Sequence, residues 1–550
     1  MLYRDISKIL GNYLYGLTFL LILPFFLAFY YEHLGSPEWH PQPHSTKAFL
    51  YSIFICAAIA YAFSWIGRGA SGHLYRREGL ASIILIWFLT PALTALPLII
   101  SGTLINPFQA YFEMSSAITT TGCSVVEAKQ YDPESKQEIP IRHTIKGELN
   151  TEYVYFGTIT PVRNPVTQEI IYSGVEAVSK AILFWRSFVQ WLGGVGIVVL
   201  FVSILPILGV GGKMLFQAEM AGPIKETHTP RIKEAAGQLL KIYTVLTTLQ
   251  VILMLITNSD MSWLDAITTA FGTVSTGGLT IRNESIASYH SATTEWVVMI
   301  FMILGSTNFT LYYYFIQGKF YRLNEPEFWM YLGIIIVICL FAAWTLSGTA
   351  EELILGTTNA IYTASEAIRY GFFQLISSIS TTGFYTADYD RWPYAVQAVM
   401  LLSMFVGGMA GSTAGGIKVI RYYMLFRICQ FRVESLFQPE VVRKFKIGGR
   451  EMDHGTILTV LCFFVIVITL LTLGTLFLII DGVDLETALS VITCMITNTG
   501  MGFRMSGPKF SFAFLSYFGL ILSSIWMILG RLEFFAVLVI LLPSFWKQKQ

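Results

Sequence analysis

Charge is what this chain lacks most. Of its 550 residues only 13% are Asp, Glu, Lys or Arg, against roughly 25% in an ordinary soluble domain. The 36 bases and 35 acids leave a net charge of +1, so nothing points to a nucleic-acid partner. Cysteine is scarce and scattered: Cys56, Cys123, Cys339, Cys429, Cys462 and Cys494 show neither paired nor metal-type spacing, so no disulfide framework and no zinc site are expected. The histidines, among them His73, His143, His228 and His454, fall in polar segments or at the ends of apolar runs. A membrane enzyme would need such groups clustered at membrane depth. No helix carries Arg or Lys at every third position, which excludes a voltage sensor.

What remains is apolar: 54% of residues are hydrophobic. Runs of about 20 such residues suffice to cross a hydrocarbon core of roughly 30 Å. They fall near 10–31, 48–66, 80–101, 180–204, 237–257, 295–317, 328–346, 395–430, 455–480 and 512–542. The first is too long for a signal-peptide core and has no small-residue cleavage site, so it reads as a retained span. Ten spans put both termini on one side. Arg68, Arg76 and Arg77, then Lys213, Lys225, Arg231 and Lys233, then the basic stretch from Lys418 to Arg450 all fall on that side. Acidic residues dominate from Glu127 to Glu176 and from Asp481 to Glu486 on the other. Lys and Arg mark cytoplasmic loops, so both termini are expected in the cytoplasm of a cell whose plasma membrane the chain spans.

A short pattern returns four times between these runs. Its copies are Thr119-Thr120-Thr121-Gly122-Cys123, Val274-Ser275-Thr276-Gly277-Gly278, Ser380-Thr381-Thr382-Gly383-Phe384 and Thr497-Asn498-Thr499-Gly500-Met501. One copy alone would be a turn or a small-residue helix contact, but four in the same relative position are a repeat. The segment from Asn106 to Gly122 is too short to span. It opens on Asn-Pro, which suits a helix start, and Asp484 stands similarly before the fourth copy. Each unit therefore reads as an outer helix, a re-entrant helix with a returning strand, and an inner helix.

The fold expected is an all-α polytopic membrane protein of four pseudo-symmetric units around one central pore, plus an N-terminal two-helix hairpin. The hairpin takes 1–79 and the units take 80–204, 205–317, 318–430 and 431–550. Within the first unit, 126–172 forms a polar insertion with several Pro and Gly, expected as an extracellular cap or loop.

Bare backbone at membrane depth is tolerated only where protein buries it or where it lines a water-filled path. Four strands on one axis would direct carbonyls and hydroxyls at a central line and replace the water shell of a monovalent cation. Glycine admits the dihedrals this requires, and each short helix aims its partially negative carboxyl end inward. No Asp or Glu lies in the strands, which favours weakly hydrated monovalent cations over calcium.

The third inner span carries Gly407, Gly408, Gly411, Ser412, Thr413, Gly415 and Gly416 within ten residues. Gly at four-residue spacing lets helices touch. Two Gly-Gly pairs beside Ser and Thr cost more helix propensity than one packing face needs, which favours a break that forms a gating loop below the strands. The run lacks the Gly-x-x-x-x-Gly-Lys-Ser/Thr spacing of a nucleotide loop. Arg531, inside the last span, is expected to line the lower vestibule, interact with the glycine loop and add an electrostatic barrier to cations, the plainer alternative being an arginine that snorkels to the cytoplasmic interface. Lys418 is either a second charge at the gate or an interface anchor.

The four strands, the four-unit layout and the run from Gly407 to Lys418 together resemble the Trk/Ktr/HKT superfamily of potassium transporters, most closely its bacterial TrkH branch. The resemblance implies a potassium-translocating subunit of the bacterial inner membrane, a homodimer with one pore per protomer, and a cytosolic nucleotide-binding regulator of the TrkA type, with no cofactor bound. It implies filter glycines at Gly122, Gly277, Gly383 and Gly500, with ion-lining neighbours Thr120, Thr121, Ser275, Thr276, Thr381, Thr382, Asn498 and Thr499. Glycine in all four strands is the pattern associated with potassium, and a first-strand serine would favour sodium. A sodium- or proton-coupled symporter of the same superfamily is the nearest alternative. An organic-solute secondary transporter would show inverted repeats with broken helices at the midplane, whereas these units share one orientation.

Overall fold

The structure, a computed structural model, describes residues 3–35, 44–70, 76–132, 134–145, 150–164, 166–204, 229–351, 360–437, 446–447, 450–451 and 454–546. Lys213 and Lys225 lie outside these residues, as do 438–445 and 448–449 of the basic stretch. The chain is an all-α polytopic membrane protein whose strands are confined to short hairpins. Among the described residues, six helices are long and apolar enough to cross a bilayer: Tyr3–Leu34, Ser45–Ile66, Arg77–Ile100, Gly237–Thr257, Pro326–Leu346 and Ile457–Ile480. Large apolar side chains such as Phe26, Phe54, Trp344 and Leu458 are exposed on their outer faces, as a lipid-facing surface requires. The first two helices pack on each other as a hairpin. Tyr13 ties that hairpin to the third helix through a 2.7 Å hydrogen bond to Thr90 Oγ1.

Four short helices sit inside this shell: Pro107–Ile118, Trp263–Val274, Ala364–Ile379 and Leu485–Thr497. Each has a side-chain cap at its start. Asn106 accepts from Phe108 N, Ser262 from Asp265 N, Thr363 forms a capping box with Glu366, and Asp484 accepts from Thr487 N. These caps satisfy donors that the helix starts would otherwise leave without a protein partner.

The first inner span is one helix, Lys180–Ile204, as expected, and the other three depart from the sequence expectation. The second, expected over 295–317, bends by 94° between Ala292–Ser306 and Phe309–Ile316. The third, expected over 395–430, is two helices, Tyr394–Phe405 and Val419–Phe437, joined by a loop. The fourth, expected over 512–542, runs only from Tyr517 to Arg531 and ends in a turn where Glu533 and Phe534 take φ of 58° and 55°.

The bends have a common cause. Carbonyls released at the break in the second inner helix are taken up by the loop of the third. Met409 N donates to Ser306 O (2.9 Å) and Thr413 N to Gly305 O (3.4 Å), while Asn308 caps the next helical segment through Thr310 N. Broken helices inside a bilayer need such replacement partners.

The insertion 126–172 folds as three antiparallel hairpins, pairing 130–131 with 138–139, 141–145 with 151–155, and 162–163 with 170–172. It packs on the fourth unit. Ile141, Tyr153 and Tyr155 share a small core with Met505 and Ala513, and Asp484 N donates to Tyr153 OH at 3.0 Å.

Candidate ion pathway

The four short helices end alike. Thr119, Ser275, Ser380 and Thr497 occupy the last helical turn, and the next residues, Thr120, Thr276, Thr381 and Asn498, enter the left-handed region with φ of 54°, 53°, 56° and 52°. Thr121, Gly277, Thr382 and Thr499 follow, their N–H groups donating to carbonyls of Ser116, Gly272, Ser377 and Cys494 at 2.8–3.1 Å. Each strand then reaches a glycine at positive φ: Gly122 (88°), Gly278 (74°), Gly383 (87°) and Gly500 (78°).

This corrects the second copy by one residue. Matching on Thr-Gly pairs Gly277 with Gly122, but the structure puts Gly278 there. Gly277 stands in the place of Thr121, Thr276 in that of Thr120, and Ser275 in that of Thr119. A Gly-Gly pair offers two registers in sequence, and backbone conformation selects between them.

The reason for glycine is visible across the strands. A Cβ on Gly122 would collide with Gly277 O, one on Gly278 with Thr382 O, one on Gly383 with Thr499 O, and one on Gly500 with Thr121 O. The contacts run from unit one to two, three, four and back to one. They close a cycle, so the four strands surround a single axis. In three strands a hydroxyl pair braces the turn: Thr119 with Thr121 (2.8 Å), Ser380 with Thr382 (2.8 Å) and Thr497 with Thr499 (2.7 Å). The second strand lacks that brace because Gly277 has no side chain. Gln190, from the first inner helix, fills the space beside Gly277 and accepts from Leu279 N at 3.2 Å.

One end of the axis opens into a cavity of about 360 Å³ lined by all four glycines, Gly122, Gly278, Gly383 and Gly500, with Glu127, Lys509 and Phe510 in its walls. Glu127 accepts hydrogen bonds from Ser511 (2.5 Å) and Tyr155 (3.2 Å). Burial nevertheless pushes its carboxyl above the usual range, outweighing those hydroxyls and nearby His143.

The loop from Val406 to Lys418 lies against the other end. It closes on itself where Gly407 N donates to Ile417 O (3.1 Å) and Ile417 N to Phe405 O (3.0 Å). It meets the filter at several points. Thr413 Oγ1 donates to Val274 O (2.9 Å) and Gly305 O (3.0 Å), Gly415 N to Thr381 Oγ1 (2.6 Å) and Gly416 N to Thr497 O (2.7 Å). Ser412 turns inward on Met409 O. Tight packing accounts for the glycines. A Cβ on Gly407 would strike Gly415 O, one on Gly408 the Ser306 backbone, and one on Gly415 the Thr497 carbonyl, while Gly411 and Gly416 have positive φ. The four-residue spacing is therefore not a helix-packing face.

Arg531 is buried and donates from Nη1 to Thr413 O at 2.8 Å. Its Nε and Nη2 find no partner among the described residues. Lys418, also buried, donates to Ala414 O within the loop.

Three supports escaped the sequence reading. Glu113 of the first short helix and Arg186 of the first inner helix form a buried pair at 2.5 Å. Glu113 also holds the outgoing strand through Val125 N (2.9 Å) and Ser124 Oγ (3.0 Å). Glu327, at the start of the third outer helix, accepts from Ala410 N in the loop at 2.7 Å. Ionisable residues in or beside apolar runs are the available signal, which the sequence reading above draws on at Arg531 and Lys418 but not at these three.

Four re-entrant strands close on one axis, with a cavity at one end and a loop at the other, the layout of a candidate membrane pathway. A family model described as a cation transport protein, TrkH, matches residues 165–548. The Trk system potassium uptake protein TrkH of Escherichia coli K12 is 30% identical over the full length of both chains. That of Halomonas elongata is 30% identical over 91% of this chain and 92% of its own. The crystal structure of the potassium transporter TrkH from Vibrio parahaemolyticus superposes with a TM-score of 0.80 at 27% identity, covering all of both chains. The chain belongs to the TrkH family, a family of transport proteins and not of enzymes.

Proposed function

We propose that this chain is the potassium-translocating subunit of a Trk-type uptake system. The observation that carries this is the closed cycle in which each strand's glycine faces the next strand's carbonyl: Gly122 to Gly277, Gly278 to Thr382, Gly383 to Thr499 and Gly500 to Thr121. The names of the relatives support potassium as the substrate. The ion is held by the carbonyls of Thr121, Gly277, Thr382 and Thr499 and by neighbouring oxygens, which replace its hydration shell. The unit boundaries are those given above, 1–79 for the hairpin and 80–204, 205–317, 318–430 and 431–550 for the pore units.

The cavity under the hairpins is the outer mouth, and the glycine loop with Arg531 and Lys418 is the inner gate. Both termini lie in the cytoplasm of a bacterial cell, and the inner membrane is crossed with the basic segments inside. There the membrane potential contributes roughly 2.3 kcal/mol per charge per 100 mV to uptake. The protein works as a homodimer with a cytosolic TrkA-type regulator, docked on the basic stretch Lys418 to Arg450. Flux measured in proteoliposomes tests the substrate, with and without collapse of a proton gradient. Potassium and rubidium are expected to pass well ahead of sodium, and equal potassium and sodium flux would overturn the assignment.

A further inference from the structure

The glycine loop meets units three and four with N–H donors. Gly415 N–H points at Thr381 Oγ1 (2.6 Å) and Gly416 N–H at Thr497 O (2.7 Å), whereas at unit two Thr276 Oγ1 donates to Thr413 Oγ1 (3.3 Å). Thr276 and Thr381 are two of the four residues at positive φ that form the inner rim of the filter. The other two behave differently. Asn498 ties strand four to strand one by donating to Thr121 Oγ1 (2.9 Å). Thr120 is fully buried, yet its hydroxyl has no hydrogen-bond partner among the described residues. The loop crosses from unit two, at Val274 and Gly305, to units three and four, at Thr381 and Thr497. Among the described residues it gives no hydrogen bond to unit one, where the Thr120 hydroxyl sits.

We infer that the closed loop occupies a binding site for a weakly hydrated monovalent cation, with its N–H groups standing in for the ion. The site is built from the inner-rim oxygens Thr120 Oγ1, Thr381 Oγ1 and Thr497 O. Potassium on those oxygens and the loop on those oxygens exclude each other. The permeant ion therefore favours the open loop by mass action, because it binds one of two states. A buried hydroxyl without a partner costs free energy, and a cation bound at the rim supplies one. Thr381 is then a positioning residue for the gate as well as a ligand of the inner site. The inference rests on the potassium pathway proposed above.

Amide hydrogen exchange at Gly415 and Gly416 reads the competition directly, on the full chain in lipid nanodiscs. The comparison is potassium chloride against choline chloride at equal ionic strength. In the wild type, exchange is expected to quicken about fivefold in potassium, the factor that one net hydrogen bond of about 1 kcal/mol represents. Thr381→Val keeps the branched shape but removes the acceptor, and should exchange fast in both salts. Thr381→Ser keeps the hydroxyl and should restore the potassium dependence. Equal wild-type exchange in the two salts overturns the inference, as does a Thr381→Ser protein that behaves like Thr381→Val. Potassium flux through the same preparation separates the two levels. Selective flux with salt-independent exchange sinks only the competition, and absence of potassium-selective flux sinks the pathway itself.

Discussion

Gly277 and Gly278 are adjacent, yet the structure gives them different constraints. Gly278 has φ of 74° and a neighbouring backbone carbonyl where its Cβ would be. Gly277 meets only the Gln190 side chain. Gly278→Ala is therefore expected to abolish selective flux. Gly277→Ala should retain part of it, and Gln190→Ala should recover more by making room. A Gly277→Ala protein as inactive as Gly278→Ala would place the register where the sequence pattern first puts it. Arg531 makes one hydrogen bond to the loop and leaves two nitrogens unpartnered among the described residues. Arg531→Gln should raise basal potassium flux at equal expression, and unchanged or lower flux would count against its role in the gate.

Glu127 belongs to the same scale. Its carboxyl sits above the ordinary range because burial disfavours its charge, so as pH falls it takes up a proton before ordinary carboxylates do. The mouth then loses a negative charge. Potassium entry is expected to fall as external pH drops from neutral toward the ordinary carboxylate range, with Glu127→Gln flattening that profile. A wild-type profile identical to that of Glu127→Gln would refute the assignment.

At the scale of elements, the short helices were legible because their ends carry chemistry that sequence displays. Asn106-Pro107 and Asp484 mark starts, and Thr-Gly marks the returning strands. Ser262 and Thr363 cap the other two in the same way and could have been read from the same residue types. The glycine run was legible as a break because Gly407, Gly408, Gly415 and Gly416 exceed what a packing face needs. The 94° bend at Ser306–Asn308 was not legible. Its cause lies about a hundred residues away, in the loop amides that take the freed carbonyls of Gly305 and Ser306. The buried Glu113–Arg186 pair joins the first short helix to the first inner helix and fixes the outgoing strand. Breaking one partner of such a pair costs about 3–5 kcal/mol. Glu113→Ala should thus lower the thermal midpoint of the detergent-solubilised protein by far more than Glu134→Ala on the insertion's surface. Equal midpoints would show the pair to be dispensable.

At the scale of the molecule, the four units place unequal residues at equivalent positions. Thr121, Gly277, Thr382 and Thr499 share one backbone place, as do Thr120, Thr276, Thr381 and Asn498. Units two to four hold the loop, while unit one carries the insertion that walls the mouth. Under the proposed function, selection of the ion and control of its passage therefore meet at one level, the ends of four short helices. Repetition made the strands readable from sequence. Closure of the ring could be read only from the carbonyl of one strand lying against the glycine of the next. The central claim is that these carbonyls hold the transported ion. Crystals grown in rubidium or thallium salts test it through anomalous scattering. The account predicts density on the axis between the carbonyls of Thr121, Gly277, Thr382 and Thr499. Well-ordered crystals with no density there, or with density only elsewhere, would contradict it.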